Sequence, residues 1–161
     1  MKIDNWLEGH WALVLGASSG FGAEVSEALS EYGVNIIGVH LDRKGTMGNV
    51  EKIISKIESN GSKARFFNIN AADEEKRNLV LNEMMSAIGN DEKKIKILLH
   101  SLAFGSLKPY LSKDSSSNVT QKNMEMTMDV MANSIVYWTQ GVVERSLFSS
   151  NARIYGMTSA G

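Results

Sequence analysis

The feature that most constrains the fold is a glycine-rich turn between a strand pattern and a helix pattern near the N-terminus. Residues 11–15 form the short apolar run Trp-Ala-Leu-Val-Leu, and residues 16–22 read Gly-Ala-Ser-Ser-Gly-Phe-Gly. Beyond this turn, apolar residues recur at helical spacing at Val25, Ala28 and Leu29. A helix that starts at such a turn presents unpaired backbone N–H groups, and the glycines leave no Cβ to obstruct an anion. We therefore expect a pyrophosphate to bind at Gly16, Ser18, Ser19, Gly20, Phe21 and Gly22.

The segment after the turn favours a dinucleotide as the ligand. A second apolar run, Asn35–His40, follows the first helix pattern at the spacing of a βαβ unit. The alternative, a structural turn that binds nothing, has less support because a strand and a helix flank the glycines. The order Gly-x-x-x-Gly-x-Gly departs from the Gly-x-Gly-x-x-Gly fingerprint and resembles the turn of the short-chain dehydrogenase/reductase superfamily. That resemblance implies an NAD(P)-dependent oxidoreductase.

Composition argues against several other classes of protein. The 161 residues are 43% hydrophobic and 22% charged with a net charge of -1, so nothing attracts the chain to nucleic acid or anionic membranes. There are no cysteines, and the three histidines, at positions 10, 40 and 100, lack the spacing of a metal site. The N-terminus lacks the apolar core of a signal peptide, and no apolar run is long enough to span a bilayer. We expect a cytoplasmic protein with no metal and no nucleic acid or membrane partner.

Alternating strand and helix patterns predict one domain, residues 1–161, with a three-layer α/β fold of the Rossmann type. The sheet is expected to be parallel and doubly wound, with strand order 3-2-1-4-5, and to be truncated after the fifth strand. The predicted strands are Ala12–Leu15, Asn35–His40, Ala64–Asn70, a run that begins at Ile95, and Arg153–Gly161. The predicted helices are Phe21–Tyr32, one from Thr46 or Gly48 to Asn60, one striped from Leu79 to Ile88, and Gln121–Phe148. The last helix carries an apolar stripe expected to face the core or, alternatively, a subunit interface: Met124, Met128, Met131, Ile135, Trp138 and Val142.

The corner after the second strand bears on the choice between NADP and NAD. An acidic side chain at the strand end accepts hydrogen bonds from a ribose 2′-hydroxyl, whereas a nearby arginine binds a 2′-phosphate. His40 lies where that acidic side chain would be, and Arg43 and Lys44 follow it. These three residues favour NADP as the cofactor. The alternative is NAD, with Asp42 as the ribose partner and Arg43 and Lys44 as solvated charges.

Two later strand ends complete the predicted cofactor site. Asn70 ends the predicted third strand and Ala71 follows it, where the superfamily resemblance implies contacts with the adenine; the alternative is that Asn70 only closes the strand. The fourth strand ends in His-Ser-Leu-Ala-Phe, which resembles the His-Ser-Ile-Gly/Ala-Phe of the enoyl-acyl-carrier-protein reductases. By this resemblance, the backbone of Ser101, Leu102 and Ala103 lines the ribose and nicotinamide. The same resemblance implies a small-molecule or acyl-carrier-linked substrate, with an acyl thioester the preferred class.

Other residues near this crevice are predicted to have supporting roles. We expect His100 to be a packed histidine at the strand end, bonded to backbone rather than catalytic. Residues 108–118 contain the only proline and predict a flexible loop, where related enzymes accept substrate. Most superfamily members hold a proton-relay water with an asparagine on the long helix, but the aligned residue here is Met131. Asn133 lies on a different face of that helix, so an asparagine-based relay is not expected.

The resemblance assigns catalysis to residues at and beyond the end of this sequence. Ser159 matches the catalytic serine of the superfamily, whose hydroxyl hydrogen-bonds the substrate carbonyl oxygen. The proton donor of the family is a tyrosine four residues before a lysine. None of the four tyrosines has a lysine at that spacing: Tyr32, Tyr110, Tyr137 and Tyr155. We therefore expect the N-terminal part of a longer reductase, homo-oligomeric when full length, or alternatively a non-catalytic dinucleotide-binding module.

Overall fold

The computed structural model describes residues 5–158 of the chain. Its strands are β1 (Trp11–Leu15), β2 (Asn35–His40), β3 (Ala64–Asn68), β4 (Ile95–His100) and β5 (Phe148–Gly156). They form a five-stranded parallel sheet in the order β3-β2-β1-β4-β5. The predicted Rossmann-type fold and its strand order are confirmed. In such a sheet the carboxyl ends of all strands lie at one edge, where ligands bind.

Helices cover both faces of the sheet. They are α1 (Gly20–Glu31), α2 (Met47–Ser59), α3 (Glu74–Ile88), α4 (Gln121–Met128) and α5 (Ser134–Glu144). A π-helical segment, Asp129–Asn133, joins α4 to α5. Asp73 is the N-cap of α3, because its carboxylate accepts a hydrogen bond from the Lys76 backbone N–H at 3.0 Å. Within the described residues, no helix combines the length and the apolar character needed to cross a membrane.

The core lies in two layers because successive residues of a strand point to opposite faces of the sheet. Leu13 and Leu15 of β1 pack in the cluster that contains Trp138 and residues of α3. Ala12 and Val14 of the same strand pack in the other cluster, with Ile53 and Ile57 of α2 and with Ala23 of α1. Burial of both faces is the arrangement that a parallel sheet requires.

The predicted long helix is interrupted, and half of its predicted core stripe is wrong. The helix does not run continuously from Gln121 to Phe148, because the π segment divides it and α5 ends at Glu144. A π turn holds one more residue than an α turn, so the face that contacts the sheet changes register. The stripe members on the exposed side are Met124, Met128 and Met131, whereas the buried positions include Val130, Ser134, Trp138 and Val142.

Several strand boundaries also differ from the prediction: β1 begins at Trp11 rather than Ala12, and β5 ends at Gly156 rather than Gly161. β3 ends at Asn68 rather than at Asn70, because the Asn70 side chain turns back to accept a hydrogen bond from the Ala72 N–H. β5 begins at Phe148, earlier than the predicted start at Arg153. The early part of β5 contains a register shift opposite β4, and Asn151 there has a φ of 55°. The start of the strand was not predicted because the polar residues of this bulge interrupt the apolar pattern.

Candidate functional site

A cavity of about 290 Å³ lies at the carboxyl ends of the central strands. Its walls come from the glycine-rich turn, the ends of β2 and β4, the segment after β3, and the π segment. The lining residues are Gly16, Ser18, Ser19, Gly20, Phe21, Val39, His40, Leu41, Ile69, Asn70, Ala71, Ser101, Leu102, Ala103, Phe104 and Val130. Segments that are far apart in the sequence therefore meet where an open α/β sheet binds its ligand.

Two glycines allow the turn to fit between its neighbours. Gly16 has a φ of 90°, and a Cβ on it would lie 2.5 Å from the carbonyl oxygen of Ser101. A Cβ on Gly22 would collide with the carbonyl oxygen of Gly16. Any side chain at either position would push the turn away from β4 or from the first turn of α1. Both glycines are therefore required by packing.

Gly20 differs because the space beside it is open. Its φ is 53°, and, apart from its chain neighbours and the adjoining backbone of α1, no atom of the described residues lies within 4 Å of the place that a Cβ would occupy. Ser19, the N-cap residue of α1, makes no side-chain hydrogen bond to the N–H groups of the first helical turn. The start of α1 thus combines open space with backbone donors that lack a side-chain cap, and an anionic group fits this arrangement.

The corner after β2 is built around Asp42. Its carboxylate Oδ2 lies 2.9 Å from Nδ1 of the buried His40. Its backbone is held from both sides by Asn68, which accepts from the Asp42 N–H at 2.9 Å and donates to the Asp42 carbonyl at 3.0 Å. Burial alone raises the pKa of Asp42, but hydrogen bonds with Ser18, Thr46 and His40 outweigh it and hold the pKa below its ordinary value. The carboxylate is therefore charged at neutral pH.

Two residues predicted for this corner do not reach the cavity lining. The side chains of Arg43 and Lys44 are exposed to solvent beyond the end of β2. Asn49, at the start of α2, donates from Nδ2 to the carbonyl of Ser18 at 2.7 Å and so ties α2 to the glycine-rich turn. No pattern in the sequence pointed to Asn49, because an asparagine in the first turn of a helix is common.

Hydrogen bonds fix the two crevice segments on either side of β1. The carbonyl of Ala71 accepts from the indole Nε1 of the buried Trp138 at 2.9 Å. On the other side, the Ser101 N–H donates to the carbonyl of Leu15 at 2.8 Å. Both segments are therefore held in a defined position beside the cavity that they line.

His100 is buried as predicted, and it has a side-chain partner in addition to a backbone hydrogen bond with Val130. Its Nε2 lies 2.8 Å from Oγ of Ser134 on α5. Burial lowers the pKa of His100 below the ordinary value of a histidine. The imidazole is therefore neutral at neutral pH.

The structure brings most of the predicted site residues together around one cavity. The predicted residues in its lining are Gly16, Ser18, Ser19, Gly20, Phe21, His40, Asn70, Ala71, Ser101, Leu102 and Ala103. Gly22 packs behind the lining, Arg43 and Lys44 lie outside it, and Ser159 lies outside the described residues. Sequence reasoning missed Val39, Leu41, Ile69, Phe104 and Val130. Four of these adjoin predicted positions, whereas Val130 comes from the unforeseen π segment.

Solved structures with the same fold are short-chain dehydrogenase/reductases. One from Serratia marcescens BCRC 10948 has a TM-score of 0.72 at 17% identity, over 92% of this chain and 55% of that chain. A short-chain dehydrogenase from Salmonella enterica serovar Typhi CT18 has a TM-score of 0.73 at 18% identity, over 96% and 59%. One from Burkholderia cenocepacia J2315, solved in complex with NADP, has a TM-score of 0.70 at 19% identity, over 92% and 54%. These similarities show the fold class, and the chain spans a little over half the length of these proteins.

Within that class, the sequence identifies a particular family. Residues 16–161 match the family model described as Enoyl-(Acyl carrier protein) reductase. The chain belongs to this family of short-chain dehydrogenase/reductases, and the predicted resemblance is confirmed. Comparison with curated proteins gives no match.

Proposed function

We propose that this chain is the dinucleotide-binding domain of an NAD(P)H-dependent reductase that acts on an enoyl or keto acyl thioester. The observation that carries the proposal is the cavity itself. It joins the open space at Gly20 and the start of α1 to the crevice of Ser101–Ala103. A nicotinamide dinucleotide is long enough to contact both parts, and the family supports the same class of cofactor.

Each part of the cavity suits one part of the cofactor. The backbone N–H groups of residues 18–22 would hold the pyrophosphate, and Asn70 and Ala71 would flank the adenine. The backbone of Ser101–Ala103 would lie along the nicotinamide ribose. When bound, the cofactor supplies the hydride, and the protein supplies position and exclusion of water. The apolar side chains of Leu102 and Phe104 line this end of the cavity and would limit the access of water.

NADP is the proposed form of the cofactor. Arg43 and Lys44 are exposed just past β2, and within residues 5–158 neither forms a salt bridge, so both can contact a 2′-phosphate. A specific observation favours NAD as the second candidate. The charged carboxylate of Asp42 is already held by His40, and the Asp42 backbone by Asn68, so the carboxylate would accept a hydrogen bond from a 2′-hydroxyl.

Catalysis by the whole protein is part of the same proposal. Ser159, by resemblance, would hydrogen-bond the substrate carbonyl oxygen. The superfamily's pair of a proton-donating tyrosine and the lysine that lowers its pKa is absent from the 161 residues, so we expect this chain to bind cofactor and to reduce little. The alternative is a dinucleotide-binding module without catalysis. Oxidation of NADPH in the presence of an enoyl thioester, measured on the whole protein, separates the two.

Calorimetric titration of the chain with NADPH and NADH tests the binding site. Gly20→Ala would place a methyl group in the open space at the start of α1, so we expect affinity to fall about tenfold or more. Gly61→Ala is the matched control, because Gly61 also has a positive φ, 85°, and open space around it, but lies at the end of α2. Equal affinity in the two variants would contradict the proposed site.

A further inference from the structure

A buried hydrogen-bond chain beside the cavity is not used by the proposed function. His100, at the end of β4, is 4% exposed, and its Nε2 lies 2.8 Å from Oγ of Ser134. Ser134 is fully buried, and its hydroxyl lies 2.7 Å from the carbonyl oxygen of Val130. Val130 belongs to the π segment and lines the cavity. These hydrogen bonds therefore connect β4, the strand that leads into Ser101–Ala103, to the helical wall of the same cavity.

The direction of these hydrogen bonds follows from counting protons. A hydroxyl carries one proton, and a carbonyl oxygen can only accept. Ser134 must therefore donate to Val130 and accept from His100, which requires the imidazole proton to be on Nε2. Burial lowers the pKa of His100, so a neutral imidazole with this proton is the form present near pH 7.

Ser134 also explains how the π segment is closed. In an α-helix its backbone N–H would donate to the carbonyl four residues earlier, that of Val130. Here that N–H donates to the carbonyl of Asp129, five residues earlier. The hydroxyl of Ser134 donates a hydrogen bond to the Val130 carbonyl instead. A side-chain donor thus replaces the backbone donor that the π turn redirects, and His100 holds this side chain in place.

We propose that His100 and Ser134 are positioning residues of the reductase site. They hold the π segment, and with it Val130, against the crevice of Ser101–Ala103, in which the nicotinamide half of the cofactor is expected to lie. The inference rests on the proposed function, because it takes the cavity to be the dinucleotide site. Without the hydroxyl, the Val130 carbonyl would lose its side-chain donor and the buried Nε2–H of His100 its acceptor, and the segment would rearrange to satisfy them.

The test compares two buried serines in the full chain. Ser30 is also fully buried, and its hydroxyl donates to the carbonyl of Glu27 and accepts from Asn60, but it lies between α1 and α2. We expect Ser134→Ala to speed amide exchange in residues 129–134 and to weaken NADPH binding about tenfold. Ser30→Ala is expected to lower the unfolding temperature comparably, with NADPH affinity within about twofold of the wild type.

Conservative variants separate positioning from general stability. Ser134→Thr keeps the hydroxyl and should retain most of the affinity, and His100→Gln, which keeps an N–H donor, should bind better than His100→Phe. Equal affinities in Ser134→Ala and Ser30→Ala, or a loss in Ser134→Thr as large as in Ser134→Ala, would overturn this inference alone. A wild-type chain that binds neither NADPH nor NADH would overturn the proposed function and this inference with it.

Discussion

At the scale of single residues, Asp42 and Arg43 carry opposite charges and favour opposite forms of the cofactor. The Asp42 carboxylate is fixed by the His40 side chain at 2.9 Å, whereas the Arg43 side chain is exposed. A fixed carboxylate needs no further ordering to accept a hydrogen bond from a 2′-hydroxyl. An exposed arginine loses side-chain entropy when it binds a phosphate, and the charge-assisted hydrogen bonds must exceed that cost.

Substitutions at this corner should change the affinities for the two cofactors in opposite ways. We expect Arg43→Ala to weaken NADPH binding about tenfold, roughly 1.4 kcal/mol, and to leave NADH binding nearly unchanged. Asp42→Asn should weaken NADH binding and strengthen NADPH binding, because a negative charge beside the 2′-phosphate is removed. Calorimetric titration measures both. Lys56→Ala, an exposed cation on α2, is the control, and an equal loss of both cofactors in Arg43→Ala would contradict the phosphate contact.

The residues of the turn could be predicted from the sequence because their role is local. Gly16, Gly20 and Gly22 act through backbone conformation and the absence of a Cβ, and both are visible in the pattern of residues. Val130 and Asn49 could not be found in this way. Their positions at the site depend on which helix packs beside which strand end, and no short spacing in the sequence records that contact.

At the scale of elements, α2 is tied to the glycine-rich turn by one side chain. Asn49 is exposed, but its amide donates to the Ser18 carbonyl at 2.7 Å. We expect Asn49→Ala to weaken the binding of NADPH and NADH equally, by about threefold to tenfold. The substitution removes a hydrogen bond that fixes the glycine-rich turn, but it removes no contact with the cofactor. The free energy of unfolding should change by less than about 1 kcal/mol.

Asn82→Ala provides the comparison for that variant. Asn82 is also exposed, and its side chain accepts from Arg145 at 3.1 Å, so it links α3 to the end of α5 far from the cavity. Titration of both variants with NADPH should show a loss of affinity in Asn49→Ala only. If the two variants bind alike, the contact of Asn49 with the turn has no part in holding the cofactor.

The interrupted helix shows where sequence periodicity stops being informative. The apolar spacing from Met124 to Val142 fits one continuous helix, and nothing local marks a π turn. The turn is closed by Ser134, whose hydroxyl is bonded to His100 on a strand 34 residues earlier. A contact of that kind depends on the packed fold. The order of strands and helices could be predicted, by contrast, because each element carries its own periodicity and its own end signals.

At the scale of the whole molecule, two buried histidines make stability depend on pH. Burial lowers the pKa of both His10 and His100, and the charges of Lys93 and Lys96 lower that of His10 further. The unfolded chain takes up protons near pH 6.5, whereas the folded chain takes them up only at lower pH. The free energy of unfolding should therefore fall as the pH drops below about 6.5, by at most about 1.4 kcal/mol per pH unit for each histidine.

Urea denaturation between about pH 5 and pH 8 measures this dependence. His10→Gln should make the slope shallower without breaking a hydrogen bond of Nδ1, since that buried atom has no partner among the described residues. The carboxyl of Asp42 makes the free energy of unfolding depend on pH in a separate, more acidic range. Its pKa is lowered, so its stabilisation is present above the ordinary carboxyl value and is lost as the pH falls below it. A free energy of unfolding that is constant down to about pH 5 would show that folding does not lower the pKa values of the histidines.

Apolar surface on the outer strand leads to an expectation about assembly. In the described sheet β5 pairs only with β4, and Ile154, Tyr155 and Met157 at its end are each about half exposed, at 46%, 50% and 46%. An edge strand with unpaired backbone groups and apolar side chains is a template for another chain.

We therefore expect this chain to associate as its concentration rises, and Ile154→Lys to weaken the association by placing a charge at the edge. Sedimentation velocity measures both effects. Leu79→Lys, an exposed position on α3, should leave the association unchanged, and a monomer at all concentrations would contradict the role of the edge.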